Sequence, residues 1–199
     1  MEGTVELSSC SGADGSCIVR MNKNTSIAHG SMTWMRRGTR HETQQLASIT
    51  VTFRFPSGTT TDDSRAVGAM LSSAFANILD QTKLPATDID VTVAVVCTTS
   101  DIWTLGVYAT LFSLMDGGVP LVSYLVPQTV AVGQDDAVIA TPTPEQTEEA
   151  SGVCRVAFNR AGKAVFVDAR GKIADVKRLI EEAATSANEC VAWVRSMMG

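Results

Sequence analysis

The stretch Val93–Pro120, VAVVCTTSDIWTLGVYATLFSLMDGGVP, leaves this chain few ways to fold. An apolar, largely β-branched run, Val91–Cys97, enters a polar break, Thr98-Thr99-Ser100-Asp101. It leaves that break as a second apolar segment, Ile102–Met115, which Asp116-Gly117-Gly118 and Pro120 then stop. β-Branched residues suit a pleated, buried strand. The second segment has helical length and is apolar nearly all round, so it has to be enclosed on every side. The pattern therefore predicts strand, turn, buried central helix, stop. Gly106, Thr110 and Ser113 recur at helical spacing and predict one smooth face that another backbone can approach. Gly117 is the expected left-handed residue at the helix end, with Pro120 forbidding continuation.

A helix that follows a strand aims its first N–H groups above the sheet edge, which favours an anion. Here the helix opens Ser100-Asp101-Ile102-Trp103, and a carboxylate there repels a phosphate. From Leu84 to Cys154 there is no Lys, Arg or His, against Asp88, Asp90, Asp101, Asp116, Asp135, Asp136, Glu145, Glu148 and Glu149. The anion position is thus expected to lack a counter-charge, and Asp101 is expected to cap the helix. The opposite imbalance lies earlier. Between Asp14 and Glu42 there is no acid, but Arg20, Lys23, Arg36, Arg37 and Arg40, with His29 and His41. Two oppositely charged segments predict two surfaces with different partners. Arg36, Arg37 and Arg40 are candidate contacts to a nucleic-acid phosphate backbone. A grip on an acidic neighbouring subunit is the alternative. The histidines have no nucleophile or carboxylate partner in the sequence pattern and receive no catalytic role.

The chain has 199 residues, 45% hydrophobic and 19% charged, which suits one globular domain spanning 1–199. No run has the length of a membrane span, and MEGTVELSSC lacks the features of a signal peptide. Five cysteines, an odd number with no C-x-x-C pair, argue for a reducing compartment and against a zinc site.

Elsewhere the periodicity predicts short strands at Ser16–Arg20 and Thr25–Ala28 around a turn, and a third strand at Ser31–Arg36 broken by Gly38. Ala47–Phe55 alternates, with Ile49, Val51, Phe53 and Phe55 on one face, and ends at Pro56-Ser57-Gly58. After a polar 59–63 loop, a helix is expected from Asp62 or Asp63 to about Gln81. Leu121–Val132 reads as a long strand with Pro127 as a bend or edge marker, and Ala137–Ala140 pairs back across Gly133–Asp136. Thr143-Pro144-Glu145-Gln146 has the capping-box pattern. Val153–Asn159 and Ala164–Asp168 form a hairpin. A long amphipathic helix follows Gly171, with a stripe beginning Ile173, Val176, Leu179, Ile180. This order is α+β, or mixed α/β, with a mixed sheet. Glu145, Glu148 and Glu149 are read as solvated first-turn carboxylates rather than a metal cluster, and Trp103 and Tyr108 as core rather than base-stacking residues.

Several tokens together resemble the ribonuclease PH fold family: Ala13-Asp14-Gly15-Ser16, Asn24-Thr25-Ser26-Ile27, Leu114-Met115-Asp116-Gly117-Gly118-Val119-Pro120, Thr141-Pro142-Thr143, Glu145-Gln146, Glu148-Glu149-Ala150 and Val153–Phe158. Within the family the likeness is to the non-catalytic ring subunits of the eukaryotic RNA exosome. The resemblance implies a ββαβα domain, often with left-handed crossovers. Active members cleave RNA with inorganic phosphate. They need a hydroxyl and Arg cradle at the start of the central helix, and two Asp, six apart, holding a divalent metal. By position the cradle maps to Asp101, Ile102 and Trp103, and the two Asp map to Thr147 and Val153. Neither requirement is met, so no enzyme activity, catalytic residue, metal or cofactor is expected. The implied partners are other ribonuclease PH-like ring subunits, S1/KH cap proteins, a separate 3′→5′ exonuclease and RNA, with no membrane. The implied setting is nucleus, nucleolus and cytoplasm, with roles in RNA processing and degradation, including ribosomal RNA. Two alternatives stay open: an active phosphorolytic ribonuclease, and a stand-alone nucleic-acid-binding homodimer.

Overall fold

The computed structural model describes residues 3–36, 46–55, 62–98 and 101–198. The breaks at Gly38 and Pro56-Ser57-Gly58, residues 59–61 of the polar loop and Thr99-Ser100 lie outside them. Among the described residues, nine strands form two sheets. The first contains β1 (Gly3–Leu7), β2 (Gly15–Met21), β3 (Ser26–Arg36), β4 (Ser48–Arg54) and β5 (Thr87–Cys97), ordered β1-β2-β3-β5-β4. It is mixed, because β4 and β5 run parallel and the other pairs antiparallel. The second contains β6 (Val126–Val132), β7 (Val138–Ala140), β8 (Gly152–Phe158) and β9 (Ala164–Gly171), ordered β7-β6-β8-β9 and antiparallel throughout.

Helix α1 (Asp62–Ala76) packs on β4, and α4 (Val176–Met198) packs on β6 and β8. Between the sheets lies α2 (Ile102–Asp116), touching β2 and β3 on one side and β6 on the other. Trp103, Leu105, Val107, Tyr108, Leu111 and Leu114 on it are fully buried, as an all-round apolar helix requires. Of the expected smooth face, Ser113 meets an approaching backbone. Gly30 of β3 lies so close to α2 that a Cβ there would stand 2.6 Å from the Ala109 carbonyl oxygen, and nearer still to Ser113 Oγ. Gly106, by contrast, makes room for the side chains of Phe53 and Leu71.

The end of α2 shows what the Leu114–Pro120 token does. Gly118 N–H donates to Met115 O (3.0 Å) and Val119 N–H to Leu114 O (2.9 Å), the two bonds of a Schellman motif. The left-handed residue is Gly118 (φ +65°), not Gly117, whose φ is −76°. Gly117 is small for another reason: a Cβ there would collide with Met32. Asp116 accepts hydrogen bonds from Ser8 Oγ and the Ser16 N–H, both 2.8 Å, and clamps the helix end to the start of β2.

Three further expectations are corrected. Ser26–Arg36 is one strand where two, Thr25–Ala28 and Ser31–Arg36, are expected; His29 and Gly30 between them continue the ladder with β2. Helix α1 ends at Ala76, short of Gln81, because the next residues pair across the chain: Val122 N–H donates to Ile78 O (2.8 Å) and Asp80 N–H to Pro120 O (3.0 Å). Ile173 precedes α4. Strand β1 has no apolar alternation to announce it; it exists by pairing with β2. Pro127 lies inside β6, opposite Ala157 of β8, where β7 does not reach. The capping box is present, with Gln146 N–H donating to Thr143 Oγ1 (3.3 Å) and Thr143 N–H to Gln146 Oε1 (2.9 Å). No described helix is long and apolar enough to cross a membrane.

Candidate functional site

The start of α2 carries a carboxylate of the chain itself, that of Asp101. Asp101 has extended backbone (φ −60°, ψ 127°) and makes no side-chain capping bond, contrary to expectation. Its carboxylate turns instead to the second sheet. Thr129 Oγ1 of β6 donates to Asp101 Oδ2 at 2.7 Å, and Arg155 Nη2 of β8 lies 3.5 Å from Oδ1. Thr129, Arg155 and Asp168 face one another across β6, β8 and β9 as direct register partners. The expectation that this place lacks a counter-charge therefore fails. Arg155 stands one residue beyond the base-free span in sequence, and folding lays it against Asp101. The ion pair is mostly enclosed, with side-chain exposures of 19% for Arg155 and 10% for Asp101, so solvent screens it weakly. Arg155 Nε is buried without a hydrogen-bond partner among the described residues. Asp168 Oδ2 lies 2.8 Å from Arg170 Nε, although the two are not aligned as a hydrogen bond.

The other two cradle positions face the core. Ile102 is half-buried. Trp103 is fully buried and stacks on Phe166 of β9 with ring centroids 5.2 Å apart. Tyr108 is likewise buried, with its ring edge-on to Trp193 at 4.9 Å. Both are packing residues, as the sequence indicates.

The residues at the metal position do not fit a divalent cation. Thr147, in α3 (Pro144–Glu149), donates its hydroxyl to Thr143 O at 2.9 Å. Val153 carries no donor atom, and its register partners are Ala131 and Arg170. A hard cation needs several oxygen ligands, and a neighbouring guanidinium disfavours it further. Glu145, Glu148 and Glu149 are exposed around the short α3 helix. Its own backbone amide and the Thr143 hydroxyl hold the Glu145 carboxyl below the ordinary range.

The basic segment is divided. Arg20 pairs with Glu6 across the β1–β2 ladder at 3.0 Å. Arg36 is exposed at the end of β3, while Arg37 and Arg40 lie outside the described residues. His29 does meet a hydroxyl: its Nε2 is 3.0 Å from Ser9 Oγ, a tie between β3 and the segment after β1. Cys17 is enclosed between β2 and α2, its sulfur 3.2 Å from Ala109 O, and burial pushes its thiol up to about 11, which keeps it unreactive.

These features belong to a known architecture. A family model described as the 3′ exoribonuclease family, domain 1 (RNase PH), matches residues 2–120, more than half of the chain. No curated protein matches the sequence. Among solved structures, rice (Oryza sativa) Rrp46 superposes with a TM-score of 0.81 at 18% identity, covering 96% of this chain and 91% of that one. The Archaeoglobus fulgidus exosome with RNA bound to the active site gives 0.81 at 12% identity, covering 100% and 88%. An archaeal exosome core gives 0.78 at 13% identity, covering 98% and 85%. The likeness extends over the second sheet and α4, beyond the segment that the family model covers, so the whole described chain has the ribonuclease PH fold. The chain belongs to the 3′ exoribonuclease (RNase PH) family.

Proposed function

We propose that this chain is a non-catalytic structural subunit of an RNA exosome ring, one ribonuclease PH-like domain spanning residues 1–199. The observation that carries the reading is the Asp101 carboxylate. It stands at the start of α2, where the resemblance places the phosphate cradle, and is held from the second sheet by the Thr129 hydroxyl and the Arg155 guanidinium. With Trp103 in the core and Val153 at the metal position, the site offers phosphorolysis neither a free cradle nor metal ligands. The chain then acts by assembly. It pairs with other ribonuclease PH-like ring subunits, sits under S1/KH cap proteins and guides RNA toward a separate 3′→5′ exonuclease. The proposed roles are RNA processing and degradation, including ribosomal RNA, in the nucleus, nucleolus and cytoplasm.

The surface supports assembly. Leu7, Met35, Val96 and Val122 are exposed, whereas Met32 and Val51 belong to the chain's own core.

The chain alone is therefore expected to self-associate or to express poorly, and co-expression with a ribonuclease PH-like ring subunit should yield a stoichiometric complex. Light scattering gives the mass of each species. A monodisperse monomer at micromolar concentration, unchanged by any ring partner, would reject the proposal.

A further inference from the structure

At its far end β3 passes beyond β2. The β2–β3 ladder stops at Met32, while the β3–β5 ladder continues to Arg36. There Trp34 is 43% exposed, although its backbone is fixed: its N–H donates to Asp14 Oδ2 at 2.9 Å. Successive strand residues point to opposite faces, so Trp34 shares its face with Arg36 and not with Met35. Beside it lies a cleft of about 420 Å³, lined by Trp34, Arg36, Lys83, Leu84, Pro85 and Thr87. The lining holds two cations and no carboxylate. Lys83 reaches out to Asp80 (3.0 Å) but keeps a largely exposed side chain. Ala86, between Pro85 and Thr87, has φ +49°, a left-handed conformation that is unfavourable for a residue with a Cβ. Such strain is retained where the surroundings hold it, often at ligand sites.

We infer that the Trp34 cleft is a slot for single-stranded RNA, in which a base stacks on the Trp34 indole while Arg36 and Lys83 hold the flanking phosphates. An exposed aromatic face beside cations, with no acid in the lining, is the combination that binds single strands without regard to sequence. A protein contact would draw on Met35, 73% exposed on the opposite face. The inference rests on the proposed RNA-guiding role, but it can fail separately from ring assembly.

Of the three tryptophans, Trp103 and Trp193 are 0% and 8% exposed, leaving Trp34 as the one that can meet a ligand. Titrating the full chain with an oligouridylate of about 10 nucleotides should quench its emission. In the ring complex, a 4-thiouridine oligonucleotide should photocrosslink to the peptide holding Trp34. Trp34→Ala should weaken binding roughly 5- to 100-fold while Trp34→Phe retains most of it. Arg36→Ala with Lys83→Ala should lower the salt slope by about 0.7 for each phosphate no longer neutralised. Unquenched emission together with no crosslink overturns the slot, as does full affinity in Trp34→Ala. A Trp34 emission shift on adding a ring partner without RNA assigns the face to protein contact and likewise overturns it. The mass of the complex reports ring assembly independently of all these outcomes.

Discussion

Gly30→Ala should cost about 3 kcal/mol of stability, at the upper end of overpacking penalties. Its Cβ would stand 2.6 Å from the Ala109 carbonyl oxygen, and nearer to Ser113 Oγ. A flexible side-chain end could move aside, but a helix carbonyl cannot move without its helix. Helix α2 has no room to retreat, since β6 packs against it from the other sheet. Ser113 is also committed, its hydroxyl donating to Ala109 O at 2.7 Å within the helix. For a chain of this size the loss corresponds to a drop in Tm of about 6–12 °C, measurable by scanning calorimetry. Gly12→Ala is the control. Nothing lies within 4 Å of its added Cβ, so the change should be close to neutral. Equal stability in the two variants would show that β3 and α2 are not in close contact.

Thr147→Asp combined with Val153→Asp should not create a phosphorolytic ribonuclease, even at saturating phosphate and Mg²⁺. The carboxylate introduced at position 153 would stand opposite Arg170 in the β8–β9 ladder and form an ion pair with it in preference to a metal site. The Asp101 carboxylate would remain beside the start of α2. Two unit charges about 4 Å apart interact by about 4 kcal/mol at an effective dielectric near 20, a factor near 10³ in affinity. Arg155 offsets part of that repulsion from Asp101, but in doing so it is no longer available to the phosphate. Phosphoryl transfer depends on positioning and charge stabilisation of the attacking group. Adding Asp101→Ser to the pair would release Thr129 and Arg155 together, and turnover should be sought in that triple variant. The assay is release of nucleoside diphosphates from RNA. Robust turnover by the double variant alone would remove the basis for an inactive subunit.

The contrast between these two sites explains what the sequence could disclose. Local chemistry was readable: the alternation of β4, the capping box at Thr143, the β8–β9 hairpin and the strand–helix unit around Asp101 all follow from nearest neighbours. The tokens shared with the family are structural fittings. Asp116 clamps β2, Gly118 turns the end of α2, and Asp14 holds the end of β3. What could not be read depended on distant partners. The join of two expected strands at His29-Gly30 is hidden until α2 is laid across Gly30. The residues after Ala76 look helical until those around Leu121 compete for them. Above all, the pairing of Asp101 with Arg155 joins residues 54 apart in sequence. A count of charges along the chain sees a base-free segment and misses the arginine that the second sheet swings onto it.

The enclosure of α2 has a consequence for measurement. Eleven of its 15 residues are buried, with a sheet on either side. Its amide protons can meet deuterated solvent only when the sheets part, so their exchange follows opening of the whole molecule and not fraying at an edge. Anything that binds only the folded chain lowers the population of that open form by its binding free energy, wherever on the surface it docks. The slowest-exchanging helix is thus a gauge of neighbours it never touches, and a ring contact anywhere on the surface would register in the protection of Leu111 and Phe112.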